Sequence, residues 1–186
     1  MSVTRLRGSA TNEPSSCGIR AATNWWLAHV DIVMPDDPDP AKCRLLGANI
    51  VPGVDLDGKV IKSGVAIRPP RYDNPVRELF MDCPDLPDVT EDAYKQLGER
   101  FDWSYILGIL RPGRSRKWGE TEGFACIELA EWLMRERGAS LINSEYDAWR
   151  ITLALAMAGK VRWRRSDVIY RPENAGFWCS SKPIDW

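Results

Sequence analysis

The sequence contains only one histidine, His29, among its 186 residues. Its five cysteines are widely separated, with at least 26 positions between neighbours, and no C-x-x-C motif occurs. Zinc sites need several closely spaced Cys and His side chains, so we expect no metal site. An odd number of widely spaced cysteines also argues against a disulfide framework, and predicts thiols that stay reduced, as in a cytosolic protein.

The chain also lacks long apolar runs and a strong net charge. The segment Met1–Arg7 has no apolar core typical of a signal peptide, and no run is long enough to span a membrane. The net charge of −1 gives no reason to expect nucleic acid or an anionic membrane as a partner. The alternating segment Val161–Arg165 favours a sheet edge guarded by charge over a nucleic-acid contact.

A helix carrying one cysteine is the clearest local pattern in the sequence. Over Gly123–Leu133, the spacing of Cys126, Leu129 and Leu133 places them on one helical face. Cys126 falls in the first turn, where free N–H groups and the helix dipole favour a thiolate. Position alone is more typical of a buried structural cysteine.

The strand pattern Trp25–Met34 carries the histidine. Alternation places His29 and Asp31 on one face of this strand and Val30 on the other. A cysteine at a helix start and a histidine on a strand is the arrangement found in papain-like cysteine hydrolases.

The other patterns predict a single domain of strands and helices. Residues 1–13 are polar, and we expect them to be irregular. The predicted helices cover 15–23, 88–100, 105–110, 123–137 and 144–157, and the predicted strands cover 25–34, 43–48, 64–70, 76–81 and 161–165, with a hairpin in 53–64. This order indicates an α+β fold in which an antiparallel sheet packs against the Cys helix. We expect one domain over 1–160 and a C-terminal extension over 161–186, packed on it or on a partner.

Three charged features are explained more simply by roles other than catalysis. Glu128 is turned about 200° from Cys126 on the helix, so we expect it to be solvated or ion-paired. Asp102 is a candidate cap for the helix that follows it. The basic loop Arg111–Glu120 is either solvated or recognises a carboxylate or phosphate.

Four parts of the chain carry a family resemblance. They are Trp26–Val33 (WLAHVDIV), Leu45–Ala48 with Gly64–Pro69 (LLGA and GVAIRP), Phe101–Gly108 (FDWSYILG) and Phe124–Leu129 (FACIEL). In this order they resemble the permuted branch of NlpC-type papain-like cysteine hydrolases, which includes small proteins of tailed bacteriophages and prophages. The resemblance covers roughly residues 15–158. In ordinary papain-like enzymes the Cys helix precedes the His strand, so the order here implies a circularly permuted papain-like fold.

The resemblance implies a hydrolase that cleaves an amide bond, often in bacterial peptidoglycan peptides and sometimes in thioesters or lipid esters. It implies that Cys126 is the nucleophile, that His29 is the base, and that the Cys126 N–H helps to hold the oxyanion. No metal or organic cofactor is needed. The expected partners are a peptidoglycan peptide or another amide substrate and phage virion proteins, and the expected location is a phage tail or the bacterial cytoplasm.

The chain departs from the family at several positions. In the family, a polar residue on the next strand orients the histidine; the matching position in this chain is Gly47 or a neighbour within Leu45–Asn49. Asn49 and Asp31 are the candidate orienting residues. Ile127 and Phe101 also differ from the family pattern. These departures motivate an alternative, a catalytically decayed module that serves as a structural component of a phage tail or another assembly.

Two residues are candidates for contact with the substrate. They are Trp103, in the FDWS segment, and Arg116, in the basic loop that precedes the Cys helix.

Overall fold

The structure, a computed structural model, describes residues 4–23, 28–83, 88–104, 123–138 and 164–170. Eight strands and three helices are assigned within these ranges. The strands are β1 (Thr4–Ala10), β2 (His29–Val33), β3 (Leu45–Asn49), β4 (Gly53–Val54), β5 (Val60–Ile61), β6 (Gly64–Arg68), β7 (Arg77–Cys83) and β8 (Arg164–Tyr170). The helices are α1 (Pro14–Thr23), α2 (Thr90–Lys95) and α3 (Cys126–Glu136).

The eight strands form one sheet in the order β5-β4-β6-β3-β2-β1-β7-β8. Each neighbouring pair is antiparallel. The predicted α+β class with an antiparallel sheet is therefore confirmed. The strand that carries His29 lies near the middle of the sheet, between β3 and β1.

The first strand corrects the prediction that residues 1–13 are irregular. Thr4–Ala10 pairs with β2 on one side and with β7 on the other, so it is an interior strand. This strand cannot be predicted from apolar alternation, because Arg7 and Ser9 are fully buried on a polar face of the sheet.

The other face of the sheet forms the main core. Its alternating apolar side chains pack against α3, and this cluster includes Leu6, Val30, Ile32, Leu46, Val65, Ile67, Leu129 and Leu133. The burial of this face fixes α3 against β2 and β3, the two strands on which the candidate histidine and its orienting residues lie.

The helices agree with the sequence in two cases out of three. α1 and α3 occupy the predicted segments, and α3 is followed by Gly138 in the left-handed region, at a φ of 73°. The second predicted helix, 88–100, is too long, because α2 ends at Lys95. Beyond it, Gly98 N–H donates to the Val65 carbonyl at 3.0 Å, so the chain leaves the helix to bond with β6.

Several predicted features lie outside the described residues. They are the helices over 105–110 and 144–157 and the basic loop over 111–120. The predicted strand over 161–165 overlaps β8, which pairs with β7 at the edge of the sheet. The division into a domain and a C-terminal extension stays a prediction.

Candidate active site

Cys126 is the first residue of α3. Leu129 and Leu133 bury the next turns of the helix against the sheet, which fixes the position of its first residue. The segment before the helix is also held in place, because Phe124 N–H donates a hydrogen bond to the Arg100 carbonyl at 2.9 Å. The first N–H groups of a helix have no carbonyl partner within it, so they can donate to a negatively charged oxygen that develops beside Cys126.

Glu128 caps the same helix and corrects a sequence prediction. Its side chain is only 5% exposed, and Oε2 accepts a hydrogen bond from Ala125 N–H at 2.9 Å. The expectation that Glu128 is solvated is therefore wrong. The carboxylate reaches back to the residue before the helix, as the acidic member of a capping box does.

His29 begins β2, and three polar side chains surround its Nε2 atom. The nearest atoms are Asp31 Oδ1 at 2.8 Å, Tyr72 Oη at 2.9 Å and Asn49 Nδ2 at 3.3 Å. The Cys126 side chain lines the same cleft as His29 and is near enough for its thiolate to raise the pKa of the imidazole. With Nε2 held by these groups, Nδ1 is the ring nitrogen left for the thiol.

The hydrogen-bonding roles of these groups follow from their chemistry. An ionised carboxylate only accepts, so Nε2 carries a hydrogen and donates it to Asp31. Asn49 Nδ2 donates to Tyr72 Oη at 2.7 Å, and the Tyr72 hydroxyl lies 3.3 Å from both Asp31 oxygens, to which it donates. A neutral His29 ring would therefore present its lone pair, on Nδ1, to Cys126.

The pKa shifts of His29 and Asp31 favour an ion pair between these two side chains at neutral pH. Burial works against the imidazolium, but the Asp31 carboxylate and the Cys126 thiolate raise the pKa of His29 to about 10. Burial also works against an ionised Asp31, but His29 and Arg7 lower the pKa of that carboxyl to about 2. Burial and the neighbouring Asp31 raise the pKa of Tyr72 well above its ordinary value, so its hydroxyl stays neutral.

Arg68 holds the backbone around this cluster. Its buried guanidinium donates to the Gly47 carbonyl at 2.7 Å, the Val51 carbonyl at 2.9 Å and the Gly64 carbonyl at 3.0 Å. It also lies 5.3 Å from the centroid of the Tyr72 ring, within the range of a cation–π contact. The arginine thus positions both the backbone of β3 and the tyrosine.

Both candidate orienting residues, Asp31 and Asn49, contact His29, and Asp31 is the closer of the two. Tyr72 is a third contact that sequence reasoning missed. It lies in the polar loop after β6, where no periodic pattern or motif separates it from its neighbours.

A cleft of about 510 Å3 lies beside the Cys126–His29 pair. Much of its wall is apolar, from the side chains of Ile19, Ile50, Val51, Pro52, Phe101 and Trp103. Besides the pair itself, the charged residues that line the cleft within the described part of the chain are Glu13 and Asp73. A mostly apolar cleft with a few convergent polar groups is typical of a small-molecule or peptide site.

Of the two candidate substrate contacts, Trp103 lines this cleft. Its side chain is 55% exposed, and its ring packs edge-to-face on Phe101 with centroids 5.3 Å apart. Arg116 lies outside the described residues. Asp102 Oδ1 accepts a hydrogen bond from Ser104 N–H at 2.8 Å, as a cap for the turn that follows it does.

Within the described ranges, no group of three His, Cys, Asp or Glu side chains could hold a metal ion. No helix in the same ranges is both long and apolar enough to cross a bilayer. No protein-family model matches the sequence, and no curated protein matches it either.

Proposed function

We propose that this protein is a cysteine hydrolase of the circularly permuted papain-like type. The observation that carries the proposal is the grouping of three residues at one cleft: Cys126 begins a helix, His29 lines the same cleft, and Asp31 Oδ1 lies 2.8 Å from His29 Nε2. A thiol, a base and a group that orients the base, placed in this order, constitute the machinery of nucleophilic acyl transfer.

The proposed mechanism begins with the thiolate of Cys126. Its sulfur attacks the carbonyl carbon of an amide, and the electron pair of the carbonyl bond moves to oxygen. The Cys126 N–H, the first of the helix, donates to this oxyanion. His29 then gives its Nδ1 proton to the leaving nitrogen as the C–N bond breaks, which leaves a thioester. Water, deprotonated by His29, attacks the thioester and releases the acid and the thiolate.

The departures from the family pattern leave these groups in place. Ile127 is 5% exposed and packs in the main core. Gly47 supplies no orienting side chain, but Asp31 contacts His29 from the same strand. Phe101 lines the cleft and packs on Trp103. The substitutions therefore do not argue for a decayed site.

The proposed substrate is an amide bond in a bacterial peptidoglycan peptide, and the proposed setting is a bacteriophage tail. Both come from the resemblance of the four sequence segments to the permuted NlpC-type branch. The order of the elements supports the permuted type, because the strand with His29 precedes the helix with Cys126 in the chain and packs against it.

The test compares wild type with Cys126→Ala on purified peptidoglycan. Wild type is expected to release soluble fragments with new amine and carboxyl ends, detected by liquid chromatography and mass spectrometry, and Cys126→Ala is expected to release none. The matched control is Cys17→Ala, which removes a partly exposed thiol of α1 that does not line the cleft. Equal release by wild type and Cys126→Ala would refute the proposal.

The alternative from the sequence is a non-catalytic module of a phage tail or another assembly, for which the Trp-rich C-terminal segment would provide a docking surface. The two proposals differ in the chemistry of Cys126. If Cys126 stays unreactive towards iodoacetamide until the protein unfolds, and the protein co-purifies with virion particles, the non-catalytic alternative is favoured.

A further inference from the structure

Arg7 lies in the middle of β1 with none of its surface exposed. Arginine is almost never fully buried unless it is paired. In the register of the sheet, Arg7 lies directly opposite Asp31 on the neighbouring strand β2. The unpredicted first strand therefore places a buried cation next to the carboxylate that holds His29.

The guanidinium of Arg7 contacts three carboxylates through three different nitrogen atoms. Nη1 lies 3.2 Å from Asp31 Oδ2, Nη2 lies 2.7 Å from Asp73 Oδ1, and Nε lies 2.8 Å from Glu78 Oε1. Asp31 is thereby shared between Arg7 and His29, with the Tyr72 hydroxyl 3.3 Å from both of its oxygens. Its Oδ2 atom contacts Arg7, and its Oδ1 atom contacts His29 Nε2 at 2.8 Å.

This division fixes the orientation of the Asp31 carboxylate. A carboxylate held through one oxygen only can rotate about its Cβ–Cγ bond, whereas one held through both oxygens cannot. The rigid planar fork of a guanidinium is suited to this role, because its donors have fixed directions. Buried ion pairs add little net stability compared with apolar packing, so a positional role accounts better for this arrangement than stability alone.

The same guanidinium reaches the wall of the cleft through Asp73. Asp73 lines the cleft, and its Oδ2 atom accepts a hydrogen bond from the Ser9 hydroxyl at 2.7 Å. Because Arg7 binds both Asp73 and Asp31, it fixes the position of the Asp31 carboxylate relative to the cleft wall.

We propose that Arg7 is a positioning residue of this site, acting through Asp31 to hold the His29 ring with Nδ1 towards Cys126. This inference rests on the proposed function for its catalytic meaning. Its structural content, the immobilisation of His29 Nε2–H by Asp31, can be measured whether or not a substrate is known.

The experiment uses the fact that His29 is the sole histidine of the sequence. In protein labelled with 15N-histidine, every ring N–H signal therefore comes from this site, and only the Nε2–H and Nδ1–H signals have to be distinguished. In Arg7→Lys the positive charge is kept, but one ammonium cannot reproduce the three directions of the fork. We expect Nε2–H exchange with water to become about tenfold faster and Cys126 alkylation to become about tenfold slower. Effects of this size follow the loss of residues that orient a metal-binding histidine.

The matched control is Glu78→Gln. Glutamine keeps an acceptor for Arg7 Nε and leaves the contact between Arg7 and Asp31 in place. We expect this variant to keep the wild-type Nε2–H signal. If Arg7→Lys does not fold, the pair Arg7→Gln with Glu78→Gln, which removes a buried cation together with a buried carboxylate, is compared with Glu78→Gln alone.

Two results would overturn the proposal. One is a folded Arg7 variant with wild-type Nε2–H exchange and wild-type alkylation of Cys126. The other is an equal change in Glu78→Gln, which would assign the effect to the ion network as a whole. A wild-type Cys126 that is inert would refute the proposed function instead, and the exchange measurement would still decide the role of Arg7.

Discussion

Gly47 on β3 lacks a side chain at the point where the carboxylate of Asp31 on β2 approaches it. A Cβ atom at Gly47 would overlap Asp31 Oδ1 and lie 3.3 Å from Asp31 Cγ. The missing side chain therefore makes room for the group that holds His29. The position that seemed to lack an orienting residue is the position that allows one to come from the histidine's own strand.

Gly47→Ala should damage both the site and the fold. The new methyl group pushes the Asp31 carboxylate away from His29, and overpacking of this kind costs about 1–3 kcal/mol of unfolding free energy. We expect Cys126 alkylation to slow about tenfold, an effect of the size seen when a residue that orients a metal-binding histidine is lost. Urea unfolding and mass spectrometry of alkylated protein measure the two effects.

The control for this variant is Gly18→Ala in α1, where a Cβ atom would meet nothing within 4 Å. Alanine is favoured over glycine inside a helix, so this change should raise stability by about 0.5–1 kcal/mol and leave alkylation unchanged. Wild-type reactivity in Gly47→Ala would contradict the role given to Asp31.

The parts of the fold that were predictable have an apolar face. β2 and α3 repeat apolar residues at the periods of a strand and a helix, because one side of each is buried in the main core. β1 has no such pattern around Arg7 and Ser9, since these polar side chains are buried among other polar groups. Burial of this kind depends on strands distant in the sequence, so no local pattern reports it.

The same reasoning applies to the candidate site. Cys126, His29 and Asp31 were found because a helix start and a strand alternation place them. Tyr72 and Arg7 were not found, since each reaches the site from a segment without periodicity and through contacts that only the folded sheet creates. Local geometry can be predicted from the sequence, whereas this long-range polar network cannot.

Tyr72→Phe should weaken the site without abolishing it. The change removes the hydroxyl that lies 2.9 Å from His29 Nε2 and leaves Asn49 Nδ2 without its acceptor at 2.7 Å. A fully buried donor that loses its partner costs about 1–3 kcal/mol, and because Asn49 is only half-buried we expect a loss at the lower end of this range. Because Asp31 still holds the ring, we expect only about a threefold slower alkylation of Cys126, since shared hydrogen bonds are partly redundant.

The control for the tyrosine variant is Tyr94→Phe. Tyr94 packs against the main core and does not line the cleft. It should therefore leave alkylation of Cys126 unchanged. If Tyr72→Phe also leaves both alkylation and urea unfolding unchanged, the hydroxyl has no role at His29.

Glu128→Ala should destabilise the start of α3. The carboxylate of Glu128 is the acceptor for Ala125 N–H, and loss of a helix N-terminal cap costs roughly 1 kcal/mol. Glu128→Gln keeps an acceptor at the same reach and should retain most of the stability. Thermal unfolding of the two variants beside wild type measures the difference, and equal stability of Glu128→Ala and wild type would exclude the cap.

The ionisation of His29 is open to direct measurement, because the histidine signal in an NMR titration comes from one residue. The Asp31 carboxylate and the Cys126 thiolate raise the pKa of His29 to about 10 against the opposing effect of burial. We expect both Cys126→Ala and Asp31→Asn to lower it, with Asp31→Asn giving the larger change because Asp31 is the stronger of the two raising influences. Titration of wild-type His29 near 6.5 would contradict the ion pair.

The same shift predicts how stability depends on pH. The folded-state pKa of His29 lies above its ordinary value of 6.5, so its contribution is fully present below pH 6.5 and is lost as the pH rises through about 10. For Asp31 the folded-state pKa lies below the ordinary 3.8, so its contribution is present above that pH and is lost as the pH falls through about 2. We therefore expect the difference in unfolding free energy between wild type and His29→Gln, measured with urea, to be largest between about pH 3.8 and pH 6.5. A difference that grows from neutral pH towards pH 10 would reverse the sign and refute the assignment.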